Sequence, residues 1–107
     1  MAKSPYIAIT LFKFTSGAEN YVPLYREDVT LIYAESEEEA RELTEANFRS
    51  DAGTYENEAG DTITITPTAV IDVVAALTDD LSEGGDLYSR HFRDFEAYSK
   101  METLLDE

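Results

Sequence analysis

The sequence predicts a single α+β domain, with one mainly antiparallel sheet, one helix packed on it and a second helix at the C-terminus. Two observations predict this class. Segments that alternate apolar and polar residues are separated by short turns, which is typical of antiparallel strands. Two other stretches repeat their apolar residues at helical spacing. With 107 residues, 43% of them hydrophobic, the chain has the length and apolar content of one folded domain.

The first two predicted strands form a hairpin. Residues 6–14 are aromatic or β-branched on both alternating sets, which favours a central strand covered on part of both faces. A break at residues 16–20 precedes a second alternating run over residues 21–34, with Val29, Leu31 and Tyr33 on one side. Alternating runs joined by a short polar turn are typical of a hairpin.

A helix is predicted over residues 37–49. Ser36 followed three residues later by Glu39 is the capping-box pattern, in which the hydroxyl accepts from the Glu39 backbone N–H. Apolar residues then recur at helical spacing until the stop signal at residues 51–53.

A second hairpin and a long apolar strand follow the helix. Residues 54–57 and 62–66 flank a turn in which Gly60 can take the positive φ that hairpin turns often need. Pro67 cannot donate to a sheet ladder and indicates an edge or a bulge, after which the strand resumes over residues 69–77. Helix is the competing structure for that last stretch, but its β-branched residues favour strand.

The residue pattern of the C-terminal part predicts a loop, then a short strand, then a helix. Residues 78–86 combine acidic residues with a pair of glycines, which is typical of a loop, and residues 87–92 predict a last strand. Asp94 is a good N-cap for a helix over about residues 94–106. The predicted order is β-β-α-β-β-β-α in one domain that spans residues 1–107.

Four segments in a fixed order carry a resemblance to a known family. They are residues 24–40, residues 55–63, the strand that ends Ile71-Asp72-Val73, and residues 87–92. Together they resemble a bacterial domain-of-unknown-function family, number 4288, over about residues 6–92. The family carries no established activity, so the resemblance implies an architecture and supplies no catalytic residues.

The charge of the chain argues against several classes of partner. Its 23 Asp and Glu against 8 Lys and Arg give a net charge of −15, which repels DNA, RNA and anionic lipid. We therefore expect neither nucleic acid nor a membrane as partner. The chain has no signal-peptide-like apolar block and no 18-residue apolar stretch, so we expect a cytoplasmic protein.

Catalysis is not expected from this sequence. The absence of Cys removes thiolate nucleophiles and Cys-based metal sites. Only Ser89-Arg90-His91 brings a hydroxyl, a guanidinium and an imidazole together, and on a strand Arg90 would point away from the other two. The carboxylates lack the spacing of a calcium loop or of a zinc helix, so no metal, cofactor or catalytic residue is predicted.

The function expected is a non-enzymatic interaction with a basic protein, of the antitoxin, immunity or inhibitor type. A strongly acidic protein attracts a nucleic-acid-binding enzyme through long-range steering. Such an inhibitor should gather its carboxylates into one face, with the candidates Glu37, Glu38, Glu42, Glu45, Glu56 and Glu58. Adaptation to a salt-rich cytoplasm would explain the same composition and should spread the charge evenly. An unpaired apolar sheet edge would also favour a homodimer.

The alternative is a small-molecule-binding protein or small enzyme with a pocket near Asp72. This carboxylate interrupts an apolar strand and must face water, an arginine or a cavity, because burial without a partner is costly. The ligand-binding residues of this alternative are Asp72, Arg90, His91, Tyr25 and Tyr88. The tyrosines are equally consistent with ordinary packing that leaves their hydroxyls wet.

Overall fold

One antiparallel sheet organises the protein in the computed structural model, which describes residues 2–105. Its strands, in the spatial order β2-β1-β4-β3, are β1 (Ser4–Ser16), β2 (Leu24–Ala34), β3 (Gly53–Glu56) and β4 (Thr62–Ala75). Two helices, α1 (Glu37–Ser50) and α2 (Phe95–Met101), complete the α+β architecture that the sequence predicts. Both predicted hairpins, β1 with β2 and β3 with β4, are confirmed.

The central strand β1 is covered on both faces, as its sequence predicts. Residues opposite each other in an antiparallel pair share a face, so alternate residues of β1 point to opposite sides of the sheet. The side on which α1 packs, here called the inner face, carries Phe12, which is 1% exposed. The opposite side, here called the outer face, carries Ile7 and Ile9, which are also buried.

The core of the inner face joins the helix to three strands. Small residues meet at the start of α1, where Ala8, Ile32, Ala34, Ala40 and Val73 form one buried cluster. Larger ones meet toward the other end of the sheet, where Phe12, Phe14 and Ile63 form a second cluster against Phe48 of α1. This gradient in side-chain size lets the helix approach the sheet closely at its N-terminus.

The start of α1 follows the predicted cap with one difference. The Glu39 N–H donates to Ser36 Oγ at 3.1 Å, as expected. The Glu39 carboxylate accepts from the backbone N–H of Glu35 at 2.8 Å rather than from that of Ser36. The helix ends at Ser50, one residue beyond the predicted end, with Asp51 as its C-cap.

The pairing of β4 with β1 is irregular at two places, one of them beside Pro67, where the sequence indicated an edge or a bulge. Ile9 pairs with Asp72 and Thr10 with Val70, which leaves one residue of β4 unpaired; a second shift lies between Leu11 and Phe12, beside Pro67. Because each extra residue locally disrupts the ladder and bends the strand, Pro67 can sit within β4 without losing a required donor.

The predicted strand over residues 87–92 is wrong. β3 pairs only with residues 62–65 of β4, so the same edge of β4 is open beyond them, yet residues 87–92 do not pair there. The segment instead crosses the outer face, where Tyr88 packs against Ile7 and Ile9. One backbone bond, from Leu77 N–H to Leu87 O at 3.1 Å, ties it to the end of β4.

The C-terminal helix is shorter than predicted. It starts where expected, because Asp94 Oδ1 accepts from the Ala97 N–H at 3.0 Å, and it ends at Met101 before a 3₁₀ turn (Thr103–Leu105). Residue 106, the last of the predicted helix, lies outside the described residues. Over the part of the chain that the structure describes, no helix combines the length and apolarity needed to cross a membrane.

Candidate functional site

Asp72 faces the outer side of the sheet and has a tyrosine as partner. The Tyr88 hydroxyl donates to Asp72 Oδ2 at 3.0 Å, and the Val73 backbone N–H donates to Asp72 Oδ1 at 2.9 Å. The sequence predicted that this carboxylate needs water, an arginine or a cavity, and it did not single out a hydroxyl. Two donated hydrogen bonds offset the cost of placing a charge within an apolar strand.

The surroundings of Tyr88 hold the hydroxyl in its neutral form. Burial, followed by the hydrogen bond and the negative charge of Asp72, raises the pKa of Tyr88 above its usual value near 10. Glu27 acts in the same direction, whereas Arg90 acts against it. Asp72 and Tyr88 are therefore in direct contact, and Arg90 and Glu27 act on Tyr88 through their charges.

The other two residues of the predicted ligand pocket are placed differently. His91 lines an open depression with Phe92 and Arg93, and its side chain is exposed. Tyr25 of β2 lies opposite Lys13 of β1. Val29, four residues further along β2, lies opposite Ile9, which on its other side pairs with Asp72. Four residues of strand span roughly 13 Å, so Tyr25 lies apart from Asp72.

The six predicted interaction carboxylates do not form one continuous face. Glu37 pairs with Arg41 at 3.2 Å and Glu45 with Arg49 at 3.9 Å. Glu38 and Glu42 are exposed on the same helix. Glu56 ends β3 and Glu58 lies in the turn after it, at the end of the sheet opposite the start of α1. The 13 residues of β1, roughly 40 Å, separate these two ends.

A cleft on the inner face, between α1 and β2, gathers polar side chains over an apolar floor. It has a volume of about 40 Å³, enough for a few water-sized groups. Ala8, Phe12, Ile32 and Phe48 form its floor. Its polar lining consists of the hydroxyls of Thr10, Thr30 and Thr44, the Asn47 amide, and the carboxylates of Asp28 and Asp51. We call this feature the helix–strand cleft.

The local structure explains how these side chains reach the cleft. Thr10 lies opposite Asp28 in the β1–β2 register, so both point to the inner face. Thr44 is one turn beyond Ala40 and one turn before Phe48, on the face that α1 buries. Its hydroxyl donates to the Ala40 carbonyl at 2.8 Å, which leaves its lone pairs free to accept.

Arg26 shows how this side of the sheet accommodates a cation. Its Nε lies 3.0 Å from Asp28 Oδ1. Its guanidinium carbon lies 4.9 Å from the centroid of the Phe12 ring and 5.2 Å from that of Phe14. A guanidinium over aromatic rings and beside a carboxylate is a favourable arrangement, worth about 0.5–1 kcal/mol for each cation–π contact at an exposed site. Asp51, across the cleft, is in no ion pair among the described residues.

The chemistry of the cleft suits a positively charged guest. Carboxylates accept hydrogen bonds only, hydroxyls and an amide can accept as well, and the aromatic floor offers a negative ring face. An ammonium or guanidinium group, which has donors only, matches such a lining. Among residues 2–105, no three His, Asp or Glu side chains lie close enough to hold a metal ion.

Sequence reasoning missed the cleft because its lining comes from three separate elements. One signal was present: Thr44 occupies the helix position between Ala40 and Phe48 where a core residue is expected. A threonine at such a position indicates either a packed hydroxyl or the wall of a polar cleft. The pattern alone does not separate these two structures.

The model of a family described as Domain of unknown function (DUF4288) matches residues 5–89. The chain belongs to the DUF4288 family. Comparison with characterised proteins and with solved structures gave no match. The region that the DUF4288 model covers contains the sheet except its first residue, Ser4, together with α1, the helix–strand cleft and the pair of Asp72 and Tyr88. It ends before Arg90, His91 and α2.

The hydroxyl of Tyr88 should stabilise this DUF4288 domain at neutral pH and lose that effect in alkali. A tyrosine whose folded-state pKa is raised binds its proton more tightly in the folded state than in the unfolded state. Its contribution is therefore complete below about pH 10 and is lost as the pH rises through the folded-state pKa. We expect Tyr88→Phe to lower the free energy of unfolding by about 1 kcal/mol at pH 7.

Urea denaturation of both proteins from neutral pH to about pH 11, beyond the usual tyrosine pKa, measures this effect. The difference between them should shrink with rising pH, because Phe cannot titrate. Tyr25→Phe is the matched control, since Tyr25 is 55% exposed on the edge strand. A constant difference across the pH range would contradict the prediction.

Proposed function

We propose that the chain is a cytoplasmic, non-enzymatic interaction module of the antitoxin, immunity or inhibitor type, which binds a basic protein by seating a Lys or Arg side chain in the helix–strand cleft. The observation that carries the proposal is the lining of the cleft, with Asp28 and Asp51 at its rim and Phe12 and Phe48 beneath. The net charge of −15 supplies long-range attraction to a basic partner and speeds encounter.

The cleft gives the proposal a specific contact that composition alone does not. Acidity that serves only solubility in salt requires no preformed cavity and no aromatic floor. Arg26, held between Asp28 and two phenylalanine rings, supports the idea that a second guanidinium or ammonium finds favourable surroundings next to it.

Affinity capture from the native cells tests the proposal. The wild-type chain should retain a basic protein at low salt and release it at about 1 M NaCl, where the Debye length is about 3 Å. Asp28→Asn/Asp51→Asn should reduce capture at least tenfold. Asp79→Asn/Glu83→Gln is the matched control, since it removes the same charge from the exposed loop after β4 and should retain the partner. Equal losses from the two double variants would show that only overall charge matters and would contradict the proposal.

A direct probe separates the cleft from the alternative pocket near Asp72. Arginine amide, titrated against the labelled protein, should shift the amide NMR signals of Thr30, Thr44 and Asn47, whereas glycine amide should not. Shifts confined to Asp72, Tyr88 and Arg90 would instead favour the small-molecule alternative.

A further inference from the structure

The C-terminal arm, defined as residues 92–105, displays apolar side chains that its own domain leaves uncovered. Among the residues that the structure describes, α2 contacts no helix or strand except the 3₁₀ turn that follows it. Phe92 stacks on Tyr98 with ring centroids 4.7 Å apart, yet neither ring is buried. The large apolar side chains of the arm, between 36% and 80% exposed, are Phe92, Phe95, Tyr98, Met101, Leu104 and Leu105.

The outer face of the sheet also has an exposed apolar part, on β2. On β2, an edge strand, it presents Val29, Leu31 and Tyr33, which are 63%, 44% and 49% exposed. Their neighbours on β1, Ile7 and Ile9, are buried under the segment that carries Tyr88. That segment therefore covers the β1 half of the outer face and stops short of the β2 half.

We propose that the arm of one copy packs on the β2 half of the outer face of a second copy, and that the exchange is reciprocal. The partner of this surface is thus another molecule of the same chain. Each arm supplies a row of aromatic and aliphatic side chains, and each face supplies a matching apolar strip. A reciprocal exchange pairs all of them in a closed dimer with twofold symmetry.

The available area is sufficient for a stable dimer. Fully buried aromatic side chains cover about 150–250 Å² each, so six arm side chains at the observed exposures offer on the order of 600 Å² in each copy. Two arms together with the faces that they cover exceed the total of about 1,200 Å² at which specific interfaces begin.

The charges favour the arm as the segment that approaches another copy. Residues 1–89 carry five Lys and Arg against 18 Asp and Glu, and two identical domains of this kind repel each other. The arm carries two cations, Arg93 and Lys100, against the three carboxylates of Asp94, Glu96 and Glu102, a net charge of −1. The arm can therefore approach the outer face, which holds Glu27 and Asp72, against far less repulsion than a second domain with a net charge of 5 − 18 = −13 would meet.

The arm lies off its own sheet, which leaves its apolar side chains available to a second copy. The radius of gyration is 17.0 Å, against about 13 Å for a compact domain of this length. The long sheet, whose strand β1 spans roughly 40 Å, and an arm that does not pack on that sheet both contribute to the excess. The match to the family model ends at residue 89, before the arm begins.

Sedimentation velocity on full-length chains tests the exchange. The wild type should sediment as a dimer of twice the 12.0 kDa chain mass. Leu31→Lys on the face and Phe95→Lys/Met101→Lys on the arm should each give monomers with unchanged circular dichroism. Leu43→Lys is the control, because Leu43 is 40% exposed on α1, away from the outer face, and this variant should stay dimeric.

Mixing the face variant with the arm variant distinguishes exchange from other contacts. The mixture should recover a heterodimer, because the intact arm of the face variant can pack on the intact face of the arm variant. This heterodimer should be weaker than the wild-type dimer, since only one of the two contacts is restored. The chain has no Cys, so Leu31→Cys/Met101→Cys with a short bismaleimide reports where the arm lies. Crosslinks should join two chains rather than close within one.

The proposal is overturned by a monomeric wild type, by an arm variant that stays dimeric, by a mixture that stays monomeric, or by crosslinks within one chain. Its failure is distinguishable from failure of the basic-partner proposal. Burial of apolar surface is not screened by salt, so the dimer should persist at about 1 M NaCl, where the complex with a basic partner dissociates. The cleft variants leave the outer face unchanged and should remain dimeric.

Discussion

Phe12→Ala should lower the free energy of unfolding by about 3–5 kcal/mol, the usual cost of truncating a buried phenylalanine. Phe12 is 1% exposed and lies at the centre of the inner face. Its ring centroid is 5.4 Å from that of Phe48, and the Arg26 guanidinium carbon lies 4.9 Å from it. Truncation therefore opens a cavity and removes an aromatic contact and a cation–π contact together.

Urea denaturation followed by far-ultraviolet circular dichroism measures this loss, since the chain has no Trp for fluorescence. A domain of this size has about 5–15 kcal/mol of total stability, so the variant should be partly unfolded or close to it at 37 °C. Val22→Ala is the control, because Val22 is 79% exposed, and it should change stability by less than about 0.5 kcal/mol. A loss below about 1 kcal/mol for Phe12→Ala would mean that the inner face is not packed as described.

Ala40→Leu should cost about 1–3 kcal/mol through overpacking. Ala40 and Ala34 are both fully buried in the cluster of small side chains where the start of α1 packs on the sheet, and Val73 of β4 completes the contact. Three added carbon atoms have no room there, so the N-terminal end of α1 must move away from the strands. Helix propensity does not explain the loss, because Leu is nearly as good a helix former as Ala.

Ala46→Leu provides the matched comparison on the same helix. Ala46 is exposed, so the same substitution should leave the denaturation midpoint almost unchanged. Equal effects of the two substitutions would contradict the close approach of α1 to the sheet. A displaced α1 should also alter the helix–strand cleft, which the arginine amide titration would detect as weaker shifts at Thr44.

The hairpins and the main helix were predictable because their causes are local. Side chains on a strand alternate between faces, so the pattern from Tyr6 onward predicts a strand wherever it continues. Ser36 and Glu39 satisfy backbone donors at the start of a helix, so the sequence marks that start to the residue. Pro67 lacks a backbone N–H and thus indicates the irregular stretch of β4 wherever that strand lies in the sheet.

The sequence pattern of residues 87–92 did not by itself decide whether they form a strand. The segment has the composition of a strand, but a strand needs a partner with free backbone groups. Whether the segment runs beside the open edge of β4 or across the sheet depends on contacts with residues distant in the sequence, and it packs on Ile7 and Ile9 of β1 instead. The same limit applies to Tyr88, whose position over Asp72 follows from the path of that segment across the outer face.

The sequence by itself determined the fold class, the approximate positions of the four strands and of α1, and the acidity of the chain, because these follow from periodicity, capping and composition. Only the tertiary structure decided that Thr10, Asp28, Thr44 and Asp51 meet in one cleft and that the arm stays off its own sheet. The physical reason is that strand register and helix packing bring together residues whose spacing in the sequence does not indicate that they are in contact.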